Sequence, residues 1–324
     1  MSEHCVIGID LGGTKAMSGV VSPTGQVAHR AVRRHGGPET AEQVLDVLVA
    51  AVREAEEAAG LPAAAVGVGI PSLVDQRTGV AGATMHLPLG RLPVRDLLAE
   101  RLGVPVALDN DATCAMLAEH RAGAAEGAQT ALLLTLGTGI GGGIVTFGQV
   151  MRGLSGAAAE FGHITLDHDG GPCTGDCPNR GCFETLVSGT ALGRRVQEVA
   201  DLQPHSAIAR AGADGRTLDG ALATELAHDG DPVAQDLLEQ MGELLGIGIA
   251  SLVNIFNPEV VVVGGGVMAA GELLLTPARV AVEARALSPS RDQVTIVPTE
   301  FGDAAGMVGA AMLAHDRLAA GPLA

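Results

Sequence analysis

Short apolar runs separated by glycine-rich turns open the chain. Residues Cys5 to Ile9 form one run, the polar stretch 10–15 follows, and a second run extends from Ala16 to Val21. This order predicts two antiparallel strands joined as a hairpin. A helical apolar face from about Glu39 to Ala59 then predicts a helix, and the run from Ala65 to Ile70 predicts a buried strand. The pattern therefore indicates an α/β protein.

Helices and strands continue to alternate along the rest of the chain. Predicted are a helix from about Asp96 to Leu102, a strand from Val104 to Leu108 followed by a helix through Leu117 and Glu119, helices from about Thr185 to Ala200 and from Pro232 to Phe256, a strand from Val260 to Val263, and a helix from about Asp303 to Leu318. A chain of 324 residues is long enough for two domains. We expect a small N-terminal α/β domain over residues 1–122 and a larger one over 123–302, with the C-terminal helix, about 303–324, packed back on the first.

The first hairpin has a second copy further along the chain. Residues Ala131 to Leu136 form an apolar run, 137–143 a glycine turn containing Thr138 and Gly139, and Ile144 to Phe147 another strand. Both hairpins end in Gly-Gln-Val, at residues 25–27 and 148–150. This repetition indicates an internal duplication. Two such hairpins facing each other would form a phosphate clamp in a cleft between related domains.

The polar residues of the first turn suit a phosphate group. Gly12 and Gly13 let backbone N–H groups approach closely, Thr14 and Lys15 add donors, and Asp10 is placed to hold a cation through water. The stretch is not a Walker A loop, which needs four residues before Gly-Lys and a helix afterwards. Taken alone, an ordinary turn would be the better explanation.

The second turn also matches the dinucleotide-binding fingerprint. Gly137, Gly139 and Gly142 have the required spacing, and Glu160 lies near the expected acidic position. The fingerprint needs a helix after its last glycine, whereas residues 143–148 have the pattern of a strand closing in a turn. We therefore favour the phosphate clamp over a dehydrogenase.

Two further clusters follow predicted strands. Asp109, Asn110 and Asp111 stand between a strand and a helix, where an N-cap would explain one of them. A carboxylate beside an amide suits a general base with a substrate-orienting partner. Gly264 and Gly265 belong to a glycine triplet after the strand that ends at Val263. The triplet would let a flat ligand such as adenine lie against the backbone, although a tight turn is the alternative.

A compact set of metal ligands lies between residues 160 and 184. One imidazole and three thiols within twenty residues make a complete Cys3His set for structural zinc, formed by His163, Cys173, Cys177 and Cys182. A disulfide with a spare thiol is the alternative, which we favour less. Glu160 and Glu184 bracket the ligands. A zinc-bound loop would aim both carboxylates, and the second nitrogen of His163 would be left for a substrate hydroxyl.

Composition narrows the classes of partner. The apolar fraction is 47%, which indicates a globular protein, but the aromatic fraction is only 2% and the chain has no Trp or Tyr to stack on nucleic-acid bases. A net charge of −17 would repel a phosphate backbone. No basic segment precedes the first apolar run, and no run is long enough to span a bilayer. We expect a soluble cytoplasmic protein with neither nucleic acid nor a membrane as partner.

Taken together, the motifs of both hairpins, Asp109-Asn110-Asp111, Glu160-x-Gly-His163 and the cysteine cluster with Glu184 resemble the ROK family. The resemblance covers almost the whole chain. It implies the actin-like, ribonuclease-H-like ATPase fold, which has two domains around a central cleft and, here, a zinc loop. It also implies ATP, Mg²⁺ and a sugar as ligands, and a homodimer or homotetramer.

The resemblance also implies roles for individual residues. Asp111 is similar to the general base that takes the proton from the sugar hydroxyl, while the implied sugar ligands are Asn110, Glu160, His163 and Glu184. The phosphates and Mg²⁺ would lie against Asp10, Gly12, Thr14 and Thr138, with Gly264 and Gly265 near the adenosine. A carboxylate base and glycine N–H donors beside Mg²⁺ fit phosphoryl transfer to a hydroxyl independently.

Two stretches depart from the common family pattern. Cys173 stands four residues before Cys177, where the family commonly has Cys-x-Cys-Gly, and Pro178 replaces the glycine. His86-Leu87-Pro88 stands where many family glucokinases have Asn-Leu-Pro. The expected activity is ATP-dependent phosphorylation of a hexose, with glucose first, giving glucose 6-phosphate for glycolysis. N-acetylglucosamine, N-acetylmannosamine, mannose or fructose as substrate and polyphosphate as donor stay open, as does a non-catalytic zinc protein. A sugar-sensing transcriptional regulator is less favoured, because such members carry an N-terminal winged helix and the first strand here begins near residue 5.

Overall fold

The computed structural model describes residues 4–82, 87–175 and 177–321. Its strands are β1 (Cys5–Leu11), β2 (Lys15–Val21), β3 (Val27–Arg34), β4 (Ala63–Ile70), β5 (Val74–Asp75), β6 (Val80–Ala81), β7 (Val106–Asn110), β8 (Ala131–Leu136), β9 (Ile140–Thr146), β10 (Gln149–Val150), β11 (Val260–Gly264) and β12 (Thr295–Pro298). Its helices are α1 (Ala41–Ala59), α2 (Val94–Leu102), α3 (Asp111–Ala122), α4 (Phe183–Leu186), α5 (Gly189–Leu202), α6 (Ala207–Ala213), α7 (Gly220–His228), α8 (Pro232–Phe256), α9 (Glu272–Arg285), α10 (Ser290–Gln293) and α11 (Ala305–Ala319).

Two compact units account for the packing of the chain. Unit 1 comprises residues 1–128, 143–159 and 299–324, and unit 2 comprises 129–142 and 160–298. Compact packing does not show where a chain folds independently, so the domain bounds 1–122 and 123–302 stay a prediction.

The sheet of unit 1 has the strand order β3-β2-β1-β4-β7. Strands β1, β2 and β3 pair antiparallel, whereas β1, β4 and β7 pair parallel. Alternate residues face opposite sides: Ile7 and Val66 join a core with α1 and α2, while Val6 and Ala65 join a core with α3 and α11. The carboxyl ends of β1, β4 and β7 therefore lie along one edge of this sheet.

Helix α11 lies very close to the sheet of unit 1. A Cβ atom at Gly8 would stand 2.0 Å from the carbonyl oxygen of Met307, and one at Gly67 would stand 1.7 Å from that of Ala310. Only glycine permits this approach, which brings the start of α11 to the end of β1.

The second sheet repeats the order of the first. Its strands run β10-β9-β8-β11-β12, with β8, β11 and β12 parallel and β9 and β10 antiparallel. Each sheet thus has an antiparallel three-strand edge followed by two parallel strands. The repeated topology confirms the duplicated α/β fold predicted from the two glycine hairpins.

Several predicted elements differ in extent from the observed ones. Strand β9 begins at Ile140, so the turn does not extend over Gly141 to Gly143 as expected. Gly143 lies in the strand because it packs against Met116, whose Cβ would be 2.4 Å from a Cβ at position 143. The helix expected from Thr185 begins at Gly189, because Thr185 belongs to the short helix α4.

Other elements were not anticipated from the sequence. They are β3, the short strands β5, β6 and β10, helices α6, α7, α9 and α10, and strand β12. Helix α9 contains Pro277, which interrupts a helical pattern when it is read from sequence. Among the described residues, no helix is long and apolar enough to cross a membrane.

Candidate functional site

In unit 1, Asp10 lies near the end of β1, next to the glycine turn. A Cβ at Gly306 would stand 2.9 Å from the Asp10 carboxylate, so the first turn of α11 lies directly against it. Burial raises the pKa of Asp10 to about 6; nearby Lys15 opposes the rise and Asp303 adds to it. Because burial disfavours the charged form of this carboxylate, a cation bound beside it would stabilise that form.

The turn after β1 is fixed by backbone hydrogen bonds. Gly12 N–H donates to the carbonyl of Lys15 at 2.8 Å, and His35 N–H donates to the carbonyl of Thr14 at 3.0 Å. A Cβ at Gly13 would meet nothing within 4 Å, so that side of the turn is open. The turn is therefore a fixed and accessible backbone surface.

The polar residues Asp109, Asn110 and Asp111, at the end of β7 and the start of α3, make different contacts. The Asn110 side chain is the N-cap of α3, since its oxygen accepts from Thr113 N–H at 3.0 Å. Its amide nitrogen lies 3.4 Å from the carbonyl oxygen of Ser72. Asp111 is the first residue of α3, and its Oδ1 accepts from Ala112 N–H at 2.7 Å. One of the three is thus a cap, as the sequence indicated.

Asp109 has a partner that the sequence analysis missed. Arg152 Nε donates to Asp109 Oδ2 at 2.7 Å, across 43 positions of sequence. Burial raises the pKa of the Asp109 carboxyl, and the positive charge of Arg152 opposes this rise. No spacing or motif links the two residues, because they meet only through the tertiary fold.

In unit 2, the turn between β8 and β9 lies against the start of α5. Gly189 N–H donates to the carbonyl of Gly137 at 2.7 Å, and the Thr190 hydroxyl donates to the carbonyl of Thr138 at 2.8 Å. Gly265 also approaches: with φ of 90°, a Cβ there would stand 2.4 Å from the Leu136 carbonyl oxygen. The predicted phosphate turn and Gly265, which follows β11, therefore lie near one helix N-terminus, which favours anions.

The four predicted zinc ligands of unit 2 come together. One ligand atom from each of His163, Cys173, Cys177 and Cys182 lies within 4.8 Å of the others. Cys173 Sγ is 3.5 Å from His163 Nδ1, and Cys177 Sγ is 3.9 Å from Cys182 Sγ. Tetrahedral zinc with ordinary bond lengths would place two sulfurs about 3.8 Å apart and a sulfur and a nitrogen about 3.5 Å apart. The donor set therefore fits zinc.

The disulfide alternative is not supported, because all five cysteines are free. Burial raises the pKa of Cys173 and that of Cys182. Such thiols stay protonated unless a cation offsets the cost of charging them. The chemistry of the donors thus agrees with their geometry.

Glu184 is anchored beside the metal cluster by three donors. Its Oε2 accepts from Ile140 N–H at 3.3 Å, and its Oε1 accepts from the Thr174 hydroxyl at 2.7 Å and lies 3.4 Å from Cys173 Sγ. A Cβ at Gly139 would stand 2.5 Å from Oε2. The Glu184 carboxylate thus joins the loop of the predicted zinc ligands to the glycine turn between β8 and β9.

His163 has its two ring nitrogens in different surroundings. Nδ1 lies on the side of Cys173, whereas Nε2 is 3.9 Å from Oε2 of Glu160. The Glu160 side chain is 48% exposed. Burial raises the pKa of Glu160, while His163 lowers it and Glu184 raises it further. This arrangement agrees with the hypothesis that one nitrogen of His163 binds metal and the other binds substrate, and the hypothesis stays a prediction.

The dehydrogenase alternative fails on its structural requirement. After Gly142 the chain continues in strand β9 to Thr146 and turns into β10, so no helix follows the glycines. Each of the other predicted site residues lies in one of the two units described above. The roles assigned to these residues stay predictions. His86, singled out in the sugar loop, lies outside the described residues.

Comparison with known proteins identifies the family. The ROK family model matches residues 6–317. A glucokinase from Streptomyces coelicolor is 33% identical over 314 residues, which cover 96% of this chain and 97% of that one. The crystal structure of a ROK family glucokinase from Streptomyces griseus, in complex with glucose and AMPPNP, aligns with a TM-score of 0.87 at 37% identity and covers 96% of this chain and 99% of that one. A putative xylose repressor from a Caldicellulosiruptor species is 30% identical over 97% of this chain and 79% of its own length.

The chain therefore belongs to the ROK family, and its fold is the two-domain, actin-like α/β fold of ROK kinases.

Proposed function

We propose that this ROK protein is an ATP-dependent hexose kinase whose preferred acceptor is glucose. As a relative of glucokinases over nearly its whole length, the chain is a sugar kinase, and the proposal concerns the particular sugar. The observation that carries it is the match to a glucokinase whose structure contains glucose and a non-hydrolysable ATP analogue.

In the proposed reaction, Asp111 accepts the proton from the 6-hydroxyl of the sugar. A hydroxyl is a weak nucleophile until a carboxylate removes its proton. The hydrogen bond from Ala112 N–H to Oδ1 helps to fix the orientation of this carboxylate at the start of α3. Asn110, held as the cap of α3, would orient the same sugar through its amide.

Glu160, His163 and Glu184 are the proposed sugar ligands of unit 2. Each can form directional hydrogen bonds to hydroxyl groups, and such bonds reject analogues that lack one. Zinc would be held by His163, Cys173, Cys177 and Cys182, and it would fix the loop that carries these side chains.

The nucleotide is proposed to bind along the two glycine turns. In unit 1 the residues are Asp10, Gly12, Gly13, Thr14 and Lys15, and in unit 2 they are Thr138, Gly139, Gly264 and Gly265. Mg²⁺, held near Asp10, would supply charge neutralisation for the transferring phosphoryl group. Backbone N–H groups and the N-terminus of α5 add fixed positive ends of dipoles.

The test is ADP release with Mg-ATP across a panel of hexoses and their N-acetylated forms, on protein whose zinc content has been counted. A clear preference for glucose, with glucose 6-phosphate identified by mass, supports the proposal. Preference for an N-acetylated sugar would replace the substrate and keep the chemistry. If no sugar in the panel is phosphorylated, the kinase proposal is contradicted. That result would favour the second candidate function, a sugar-responsive regulator, which is suggested by the similarity to a putative xylose repressor.

A further inference from the structure

Of the three polar residues 109–111 at the end of β7 and the start of α3, Asp109 alone is buried. Its side chain is 3% exposed, compared with 26% for the side chain of Arg152, which bonds to it. Besides accepting from Arg152 Nε, it accepts from Asn110 N–H at 2.9 Å through Oδ1. A buried carboxylate with this donor set cannot reach a substrate, but it fixes the backbone of the residue that follows it.

The same strand end is held from a second side by Gln76. The side-chain amide nitrogen of Gln76 donates to the carbonyl of Leu108, the residue before Asp109, at 2.8 Å. Among the described residues, strand β7 pairs only with β4, through Asp109 opposite Gly69 and Asn110 opposite Ile70. The edge strand thus depends on side chains, rather than on a second neighbouring strand, to fix its last residues.

Arg152 is itself held in place by a folded segment, residues 151–158. Met151 N–H donates to the Ile144 carbonyl at 2.9 Å, and Ala158 N–H donates to the Arg152 carbonyl at 3.2 Å. Gly156 lies directly on β5, since a Cβ there would stand 2.0 Å from the carbonyl oxygen of Val74. The guanidinium therefore extends from a fixed platform and not from a loose loop.

We propose that Arg152 is a positioning residue: its buried ion pair with Asp109 fixes the end of β7 and thereby aims Asn110 and Asp111. The proposal rests on the proposed function, in which those two side chains act on the sugar. An orienting contact of this kind matters because a displacement of about 1 Å at a reacting group can cost about 100-fold in rate.

Removal of Arg152 would have two effects that must be separated. It leaves a buried carboxylate without its cation, which destabilises the fold, and it frees the strand end, which misplaces Asp111. A purely structural ion pair would show only the first effect. The double variant Asp109→Asn/Arg152→Met removes the unpaired charge and so tests the second effect on its own.

The experiment compares Arg152→Met, Arg152→Lys and the double variant with wild type. Arg121→Met is the matched control, because Arg121 pairs with Asp316 from the far end of the same helix, α3, with both side chains partly exposed. Measured are kcat, KM for ATP and for sugar, the melting temperature, and hydrogen exchange of the amides of residues 110–113.

We expect Arg152→Met to lower kcat about 10- to 100-fold with KM for ATP nearly unchanged, and to speed exchange at residues 110–113. Arg152→Lys keeps the charge without the guanidinium geometry and should recover part of kcat. The double variant should regain melting temperature but not kcat. Arg121→Met should leave kcat and this exchange as in wild type.

Two results would overturn the inference. One is a folded Arg152→Met protein with kcat within about twofold of wild type; the other is a double variant in which kcat returns together with the melting temperature. If wild type phosphorylates no sugar, the proposed function fails. The inference is then decided by exchange alone, and unchanged protection at residues 110–113 in Arg152→Met would end it.

Discussion

Several carboxylates in this protein are buried, and each has its own set of donors. Glu119 accepts from the N–H groups of Ala124, Glu300 and Phe301 at 2.9 to 3.0 Å. Asp109 is paired with Arg152, and Glu184 accepts from a backbone N–H and a hydroxyl. Such bonds explain how charged side chains are retained inside a fold.

Asp10 is partly buried, and burial raises its pKa to about 6. Below its unfolded pKa of about 4 the carboxyl is protonated in both states, and its charge has no effect on stability. As the pH rises through 4 to 6, the unfolded chain ionises first, so this group makes the folded state progressively less favourable.

The pH dependence predicts how Asp10→Asn will behave. Relative to wild type, the free energy of unfolding of the variant should rise between pH 4 and pH 7.5 by about 1 to 3 kcal/mol, since the amide carries no charge in either state. Urea titrations at both pH values, without added Mg²⁺ or nucleotide, measure this difference. The exposed Asp214, changed to Asn, is the matched control. A difference independent of pH would contradict the assigned burial effect.

At the scale of single residues, the sequence indicated which side chains are candidates for chemistry. It did not indicate which of them caps a helix, which is buried and which is left for a substrate. The run Asp109-Asn110-Asp111 could be singled out because a cap accounts for only one member. Which member is the cap depends on where α3 begins, and that is set by packing. The pairing of Arg152 with Asp109 and the donors to Glu119 could not be predicted, since tertiary contacts over long sequence separations leave no local sequence pattern.

At the scale of elements, the zinc loop was the most predictable part. Four donors of the right kind within twenty residues define a site by their chemistry, whatever path the chain takes between them. The path could not be predicted: Thr174 bonds Glu184 at 2.7 Å, although the segment around Cys173 departs from the family spacing. The first residues of strand β9 were predicted to belong to a glycine turn. This prediction was wrong, because close contacts with neighbouring residues, and not turn propensity, explain the glycines of β9.

We predict one zinc per chain and a loss of order when it is removed. Cys177→Ser should lose zinc, speed amide exchange over residues 160–184 and lower kcat at least about tenfold, since the loop no longer aims Glu160 and Glu184. Metal analysis and hydrogen exchange provide readouts besides activity. Cys5→Ser, at a buried thiol of unit 1, should keep its zinc. Full activity of a zinc-free protein would show that the loop is ordered without metal.

At the scale of the whole molecule, the chain is a duplication whose two sheets share one strand order. The repeated Gly-Gln-Val after each hairpin made this visible in the sequence. Family membership follows from the match over residues 6–317. The homodimer or homotetramer, the cytoplasmic location and the absence of nucleic-acid binding stay predictions, because a single chain of this kind does not test them.

The most direct test of the account compares Asp111→Asn with wild type in glucose phosphorylation by Mg-ATP, with glucose binding measured by calorimetry on the same samples. The account predicts that kcat falls at least about 100-fold, because the general base is lost, while the Kd for glucose changes by no more than a few-fold. Turnover by Asp111→Asn within tenfold of wild type would contradict the assignment of the base and the mechanism built on it.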